Sequence, residues 1–305
     1  MSPLSPRSSG VHVADASIRW ITLSAGAPGH RKVESWGEFP LEQGIVERGI
    51  VCDTQRLSHA LAMVRPHVRK SAVINTALPR EAAHVFSFRI PQGMPRDQIP
   101  ALIQFEWMDR VPLRPSEAVY SYDSLGEEPE GEGIAVTAYP KEVSERHLSA
   151  FADARIRLVS AEIATRSAAR AVSSATQGDL VEVLLEISEQ PSIAFVKRGI
   201  PVFVAHIGDI PREAIPEEVA RYVDHWRARR TSGRGPSSSL GGILLVGEGA
   251  QLSELAARVA ERARAPAVLG NVWRHIANFS DYIPPIDRDA SLRFAVAAGL
   301  ALRES

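Results

Sequence analysis

Residues Gly242–Leu255 read GILLVGEGAQLSEL. An apolar run, Ile243–Val246, leads into a Gly-x-Gly turn at Gly247 and Gly249, and an amphipathic helix is expected from about Ser253. Glycines between a strand and a helix let a ligand approach the backbone, and the first N–H groups of the helix attract anions. The chemistry this spacing serves is phosphate binding. A tight turn in many α/β proteins needs the same two glycines, so the pair gains meaning only from its surroundings. Other candidate chemistry is thin. His59 and His67 share one helical pattern, but no third metal ligand is near. Ser17 sits outside any Gly-x-Ser-x-Gly elbow, which argues against hydrolase chemistry. Cys52 is the single cysteine, so neither an intramolecular disulfide nor a cysteine-based zinc site can form. Arg221, Arg227, Arg229, Arg230 and Arg234 read as a solvated helix end, with contact to anionic lipid as the alternative.

The elements that must position these residues follow from periodicity. Strands are expected within Val11–Ser24, at Ser71–Leu78, Val85–Ile90, Val119–Leu125, Gly133–Tyr139 and Leu158–Ile163, and as a meander over Asp179–Ile187, Ser192–Lys197 and Pro201–Ile207. Helical spacing marks Thr54–Val68, Gln98–Val111, Lys141–Ala154, Ala164–Ser174, Pro216–Arg230 and Asp289–Arg303, with Pro66 expected to end or kink the first of these early. Trp107 and Trp226 fall on apolar faces and read as core. Strands with helices occur twice over, which predicts an α/β protein with a cleft between duplicated domains. The 305 residues are 45% hydrophobic with a formal net charge of −1, which supplies a full core and argues against a nucleic-acid-binding surface. No run of 18 apolar residues is present, and MSPLSPRSSG reads as a disordered tail and not a signal peptide. A cytoplasmic protein is the expectation.

Several stretches resemble the actin-like ATPase superfamily and, within it, the PilM-like proteins of type IV pilus assembly. They are Ser17-Ile18-Arg19, Gly44–Ile50 (GIVERGI), Leu78-Pro79, Phe88-Arg89-Ile90-Pro91, Ile103–Pro112 (IQFEWMDRVP), Ala138-Tyr139-Pro140-Lys141 and Ala298–Arg303 (AGLALR). The likeness runs from Val11 to Arg303. FtsA and the cytoplasmic part of the secretion protein GspL are similar too, although GspL continues into a membrane span. The resemblance implies an actin-like, ribonuclease H-like fold of two duplicated α/β domains. The first would cover 11–175 with an inserted subdomain at about 76–139. The second would cover 176–305, with its own insertion largely missing and a flexible loop at about 231–242. Residues 1–10 would form the tail.

Such proteins hold Mg-ATP between two Asp-x-Gly hairpins and a Gly-rich adenosine turn. Aligned on Ser17-Ile18-Arg19, the first hairpin has His12 and Ala14 at the Asp and Gly positions. Asp15 is the nearest carboxylate, and a neighbouring strand position points to the other face unless a bulge intervenes. The second hairpin reads Glu186-Ile187-Ser188 and continues Glu189-Gln190-Pro191. These departures imply a pseudo-ATPase with no cofactor. If ATP were retained, Ser17, Asp15, Glu186, Gly247 and Gly249 would hold it. The resemblance further implies a scaffold at the inner face of the inner membrane that binds the cytoplasmic N-terminal peptide of a PilN-like membrane protein. The groove is implied to lie between the first subdomain and its insertion, about Ser71–Tyr139, with Phe86, Phe88, Ile103 and Trp107 on the insertion's inner surface as its candidate residues, and self-association is a further expectation. No catalytic or metal-ligating residue is assigned. The alternatives are an active actin-like ATPase, or a GspL-like component of a type II secretion system.

Overall fold

The computed structural model describes residues 7–25, 31–68, 70–71, 73–128, 131–174, 180–231, 238–249, 252–276 and 282–303. The chain opens with β1 (Arg7–Val13), β2 (Ser17–Ala25) and β3 (Arg31–Pro40). A small hairpin of β4 (Val46–Glu47) and β5 (Ile50–Val51) precedes α1 (Thr54–Val68) and β6 (Val73–Leu78). Next come β7 (His84–Ile90), α2 (Ile99–Arg110), β8 (Ala118–Glu128) and β9 (Gly131–Pro140). Then α3 (Lys141–Asp153), β10 (Ser160–Ile163) and α4 (Ala164–Val172) return to the first sheet. The second half holds β11 (Leu180–Ile187), β12 (Ser192–Lys197), β13 (Ile200–His206), α5 (Ile215–Thr231) and β14 (Ser239–Gly247). It ends with α6 (Leu252–Ala263), β15 (Ala267–Leu269), α7 (Arg288–Ser291) and α8 (Ala295–Leu302).

Two five-stranded sheets have the same topology. The first runs β10-β6-β1-β2-β3 and the second β13-β12-β11-β14-β15. In each, the first three strands pair antiparallel and the remaining two add in parallel. The hairpin tip of β1–β2 and that of β11–β12 therefore occupy equivalent places. Between the halves lie α4 and α8. Both are rich in alanine, and α8 is buried from Ala295 to Ala301. Small side chains let the two helices meet backbone to backbone. A Cβ on Gly299 would stand 1.7 Å from the Ser167 carbonyl oxygen, and one on Gly10 of β1 would stand 2.1 Å from that of Ala297. The third sheet, β7-β9-β8, is separate and packs α2 on a core of its own, centred on Ile103 and Trp107.

Several expectations need correction. Arg7–Gly10 is not a tail: it is the start of β1, where Ser9 is buried and shares hydrogen bonds with Thr22 and Ser71. Met1–Pro6 lies outside the described residues. Strand β3 gave no apolar signal because it is an outer strand whose alternate residues face solvent. Pro66 does not stop α1, because burial of Val64 and Val68 outweighs the hydrogen bond proline cannot make. Thr76–Leu78 belongs to β6 of the first sheet, so the inserted sheet begins at His84. Of the expected loop at 231–242, Ser239–Gly242 is strand and 232–237 lies outside the described residues. The last helix is broken at Leu292–Phe294 by a 3₁₀ turn, which lets α8 turn inward to the first sheet.

Candidate functional site

Sheet geometry brings the two hairpin tips and the Gly247–Gly249 turn to one cleft between the halves. His12 and Arg19 are cross-strand partners at the first tip, and Glu186 pairs with Ser192 and Val246 at the second. The cleft holds only about 70 Å³ of free space. Two arginines from the first half fill it. Arg80, in the short 3₁₀ turn after β6, is buried and crosses to the second hairpin. Its guanidinium donates to Glu186 Oε1 at 2.9 Å, to Ser188 Oγ at 2.9 Å and to the Gln190 carbonyl at 3.2 Å. Arg19, also buried, donates to both carboxylate oxygens of Glu248, at 3.1 and 3.0 Å, and to the Arg293 carbonyl at 3.3 Å. Its Nε donates to Glu38 at 2.7 Å, and Ser17 Oγ donates to that same Glu38 oxygen at 2.7 Å.

Charge in the cleft follows from this pairing. Burial pushes the Glu186 carboxyl up, opposed by the Arg80 guanidinium. Glu186 Oε2, Arg80 Nε and His12 Nδ1 are buried and have no hydrogen-bond partner. Burial, helped by the nearby Arg19 and Arg80 charges, lowers the His12 imidazole, so it stays neutral. Burial would raise Glu38, but the hydrogen bonds from Arg19 and Ser17 outweigh it and hold that carboxyl below its ordinary value.

The expected ATP-holding residues are engaged with other groups of the chain. Asp15 turns to the β4–β5 hairpin and accepts the backbone N–H groups of Arg48 at 2.9 Å and Gly49 at 2.7 Å. Burial still leaves its carboxyl above the ordinary value. Ser17 is spent on Glu38 and Glu186 on Arg80. The glycines are used internally. Gly247, at φ 107°, lies against the backbone of Ile187, where a Cβ would stand 2.0 Å from the carbonyl oxygen; a Cβ on Gly249 would meet the Arg212 guanidinium at 2.6 Å. Mg-ATP needs carboxylates free to order the metal and room for three phosphates. This donor set, with Glu186 and Glu248 bound to internal guanidiniums, Asp15 to backbone N–H groups, and far less space than the ~300 Å³ at which ligand pockets begin, does not fit it. Arg80 carries this arrangement, and nothing local in the sequence marks it. Only the fold shows that an arginine after Leu78-Pro79 reaches residues 186–190.

A second, much larger cavity of about 680 Å³ lies where the inserted sheet meets the second half. Five successive residues of β7, Val85–Arg89, form one wall. The opposite wall is the face of β11–β13 together with α5, where Phe195 stacks on Trp226 with ring centroids 4.3 Å apart. Phe86 and Phe88 line this cavity, with the Arg110 guanidinium 5.8 Å above the Phe86 ring. Ile103 and Trp107 do not. They are 0% and 1% exposed, and the Trp107 indole donates to the Leu113 carbonyl at 2.6 Å. They support β7 from behind and cannot be contacted from outside. Trp226, read as core from its helical phase, packs against the core of the second half and, being only partly buried, also lines the cavity. Among the described residues no group of three or more His, Cys, Asp or Glu could hold a metal, and no helix is long and apolar enough to cross a membrane.

No family model matches the chain, and no curated protein matches it. Solved structures do. A PilM-PilN type IV pilus biogenesis complex is similar at a TM-score of 0.75 with 19% identity, covering 97% of this chain and 97% of that one. The cytoplasmic domain of EpsL, an inner-membrane component of the Vibrio cholerae type II secretion system, matches at 0.53 with 10% identity over 98% and 96%. The ethanolamine utilization protein EutJ from Carboxydothermus hydrogenoformans matches at 0.51 with 13% identity over 99% and 90%. With its two sheets of one topology and this full-length likeness, the chain has the actin-like ATPase fold, in a form similar throughout to that of the PilM-PilN complex.

Proposed function

We propose that this protein is a nucleotide-independent scaffold of a type IV pilus assembly machine, and that it captures a short cytoplasmic segment of a PilN-like inner-membrane protein. The observation that supports nucleotide independence is the Arg80–Glu186 pair with its neighbours. A cation supplied by one half lies between the hairpins and ties the two halves together. Arg19–Glu248 adds a second tie across the same cleft. The full-length similarity to the pilus complex supports the partner, and the open aromatic cavity beside β7 supports capture of a segment. On this reading the protein works at the inner face of the inner membrane, held there by its partner.

Calorimetry tests the nucleotide half. Mg-ATP titrated into the purified chain should give no saturable heat and no rise in melting temperature, with ADP behaving the same way. Micromolar binding would overturn the scaffold reading and restore an actin-like nucleotide switch. The partner half is tested with synthetic peptides covering the N-terminal segment of the PilN-like protein from the same organism. One of them should bind the full chain saturably, and absence of binding by all would refute partner capture.

A further inference from the structure

Outer strands of a sheet present backbone groups that another chain can pair with, and proteins blunt them with charges, bulges or shortness. Most outer strands of this fold are blunted. Strand β3 carries Lys32, Glu34 and Glu38 and is bulged against β2. Strands β10 and β15 are only four and three residues long, and β13 and β7 lie alongside each other. Strand β8 has no such protection. It pairs with β9 on one side only, and Ala118–Tyr122 (AVYSY) contains no charge, proline or bulge. Val119, Tyr120 and Ser121 are exposed, and β-branched and aromatic residues favour strand pairing. The regular stretch runs from Ala118 to Ser124, up to the bulge between Ser124 and Gly126.

Helix α2 extends this face. Phe105 is 66% exposed and Met108 75%, and with the exposed Ala101 they form one stripe at i, i+4 and i+7. Glu106 and Arg110 turn to the cavity on the β7 side. Gln104 and Met108 stand about 200° round the helix from them, on the flank toward β8. On that flank the Trp107 ring meets the Tyr120 ring of β8 edge-on, with centroids 5.7 Å apart. A bare strand edge therefore runs beside an uncovered apolar helix flank, and none of these residues lines the cleft or the large cavity between β7 and the second half except Glu106 and Arg110.

We propose that two copies of the chain associate through this face, β8 of one pairing antiparallel with β8 of the other about a two-fold axis at Ser121. The occupant follows from self-complementarity, which a two-fold contact requires. Ser121 is the midpoint of Ala118–Ser124, so an axis there uses the whole regular stretch. It sets Tyr120 opposite Tyr122 of the partner subunit and Val119 opposite Asp123 of the partner subunit. Aromatic pairs then form twice, and no like charges face each other. An acidic or basic partner would need a charged patch, and Ala118–Tyr122 has none. Each three-stranded sheet continues into the other, and the two α2 helices lie on the same face with their Met108 flanks turned toward each other. Such an interface is small, so the dimer is expected at roughly micromolar concentrations.

Sedimentation velocity of the full chain from about 1 to about 200 µM tests it, and a monomer–dimer equilibrium should appear within that range. Met108→Glu should weaken the dimer by about tenfold or more, because it brings two carboxylates to the contact, while the exposed position leaves the melting temperature unchanged. In a Cys52→Ser background, Ser121→Cys should cross-link to its own copy under mild oxidation. Facing Cα atoms of an antiparallel pair stand about 4.5–5.5 Å apart, within disulfide reach. The unaltered chain, whose single exposed Cys52 lies outside this face, should not cross-link under the same conditions. A chain that stays monomeric throughout the range would overturn the proposal and leave the face to a different protein. A dimer that Met108→Glu leaves unchanged, and that Ser121→Cys does not cross-link, would overturn it as well.

Discussion

Arg80→Ala is the perturbation from which most follows. Arg80 and Glu186 are both buried, and their ion pair at 2.9 Å is joined by hydrogen bonds to Ser188 and the Gln190 carbonyl. Removing the guanidinium leaves Glu186 with neither oxygen paired, because Oε2 has no partner even in the intact protein. Breaking a buried pair from one side costs about 3–5 kcal/mol. Near 2 °C per kcal/mol for a chain of this size, the melting temperature should fall by roughly 6–10 °C. Arg80→Met combined with Glu186→Leu removes both charges and should lie within about 1 kcal/mol of the unaltered protein. The sign with pH is also set. Without Arg80, burial acts on Glu186 unopposed by its chief cation and favours the neutral acid. The folded pKa, already above the ordinary value in the intact protein, rises further, so stability is lost as pH rises, and the Arg80→Ala deficit should be smaller at pH 5 than at pH 8. Differential scanning fluorimetry at the two pH values, backed by urea unfolding, reads all three proteins. A deficit below about 1 kcal/mol, or a double variant as unstable as the single one, would refute the account of the cleft as held together by the Arg80–Glu186 ion pair.

Three other outcomes are expected. Burial holds the His147 imidazole down at about 4, against an ordinary 6.5. Between those values the unfolded chain takes up a proton the folded one refuses, so stability falls by up to about 3 kcal/mol from pH 6.5 to pH 4; His147→Leu should flatten that slope, as urea midpoints across the range will show. Gly299→Ala drives a methyl group into the Ser167 carbonyl, and since neither backbone can rotate away, the loss should reach the upper end of the 1–3 kcal/mol typical of overpacking, roughly 3 kcal/mol by urea unfolding. Asp15→Ala removes the acceptor of the Arg48 and Gly49 N–H groups and should cost about 1–2 kcal/mol. In calorimetry it should leave the response to Mg-ATP as it is in the parent chain, whereas a carboxylate serving a metal would change it.

The fold class was legible in the amino-acid sequence because it rests on local patterns. Apolar runs and helical spacing located almost every strand and helix, and their order, strands and helices twice over, carries the duplicated topology. The departures at the hairpins are legible too, since His12, Ala14 and Ser188 stand where the resemblance implies Asp, Gly and Gly. Which residues fill the cleft was not legible. Arg80 meets Glu186 across 106 positions and Arg19 meets Glu248 across 229, and no local periodicity links residues so far apart. Gly247 and Gly249 have one sequence signature whether a phosphate or Ile187 and Arg212 come close, and only the packed cleft decides between them. The same holds for the aromatic residues. Helical phase says that Trp107 and Trp226 each face inward, but inward for Trp107 is a closed core, and for Trp226 it is the edge of a core that also borders a cavity. Residue type and spacing determine which face of an element is apolar; what that face meets depends on elements far away in the chain, and so belongs to the tertiary structure alone.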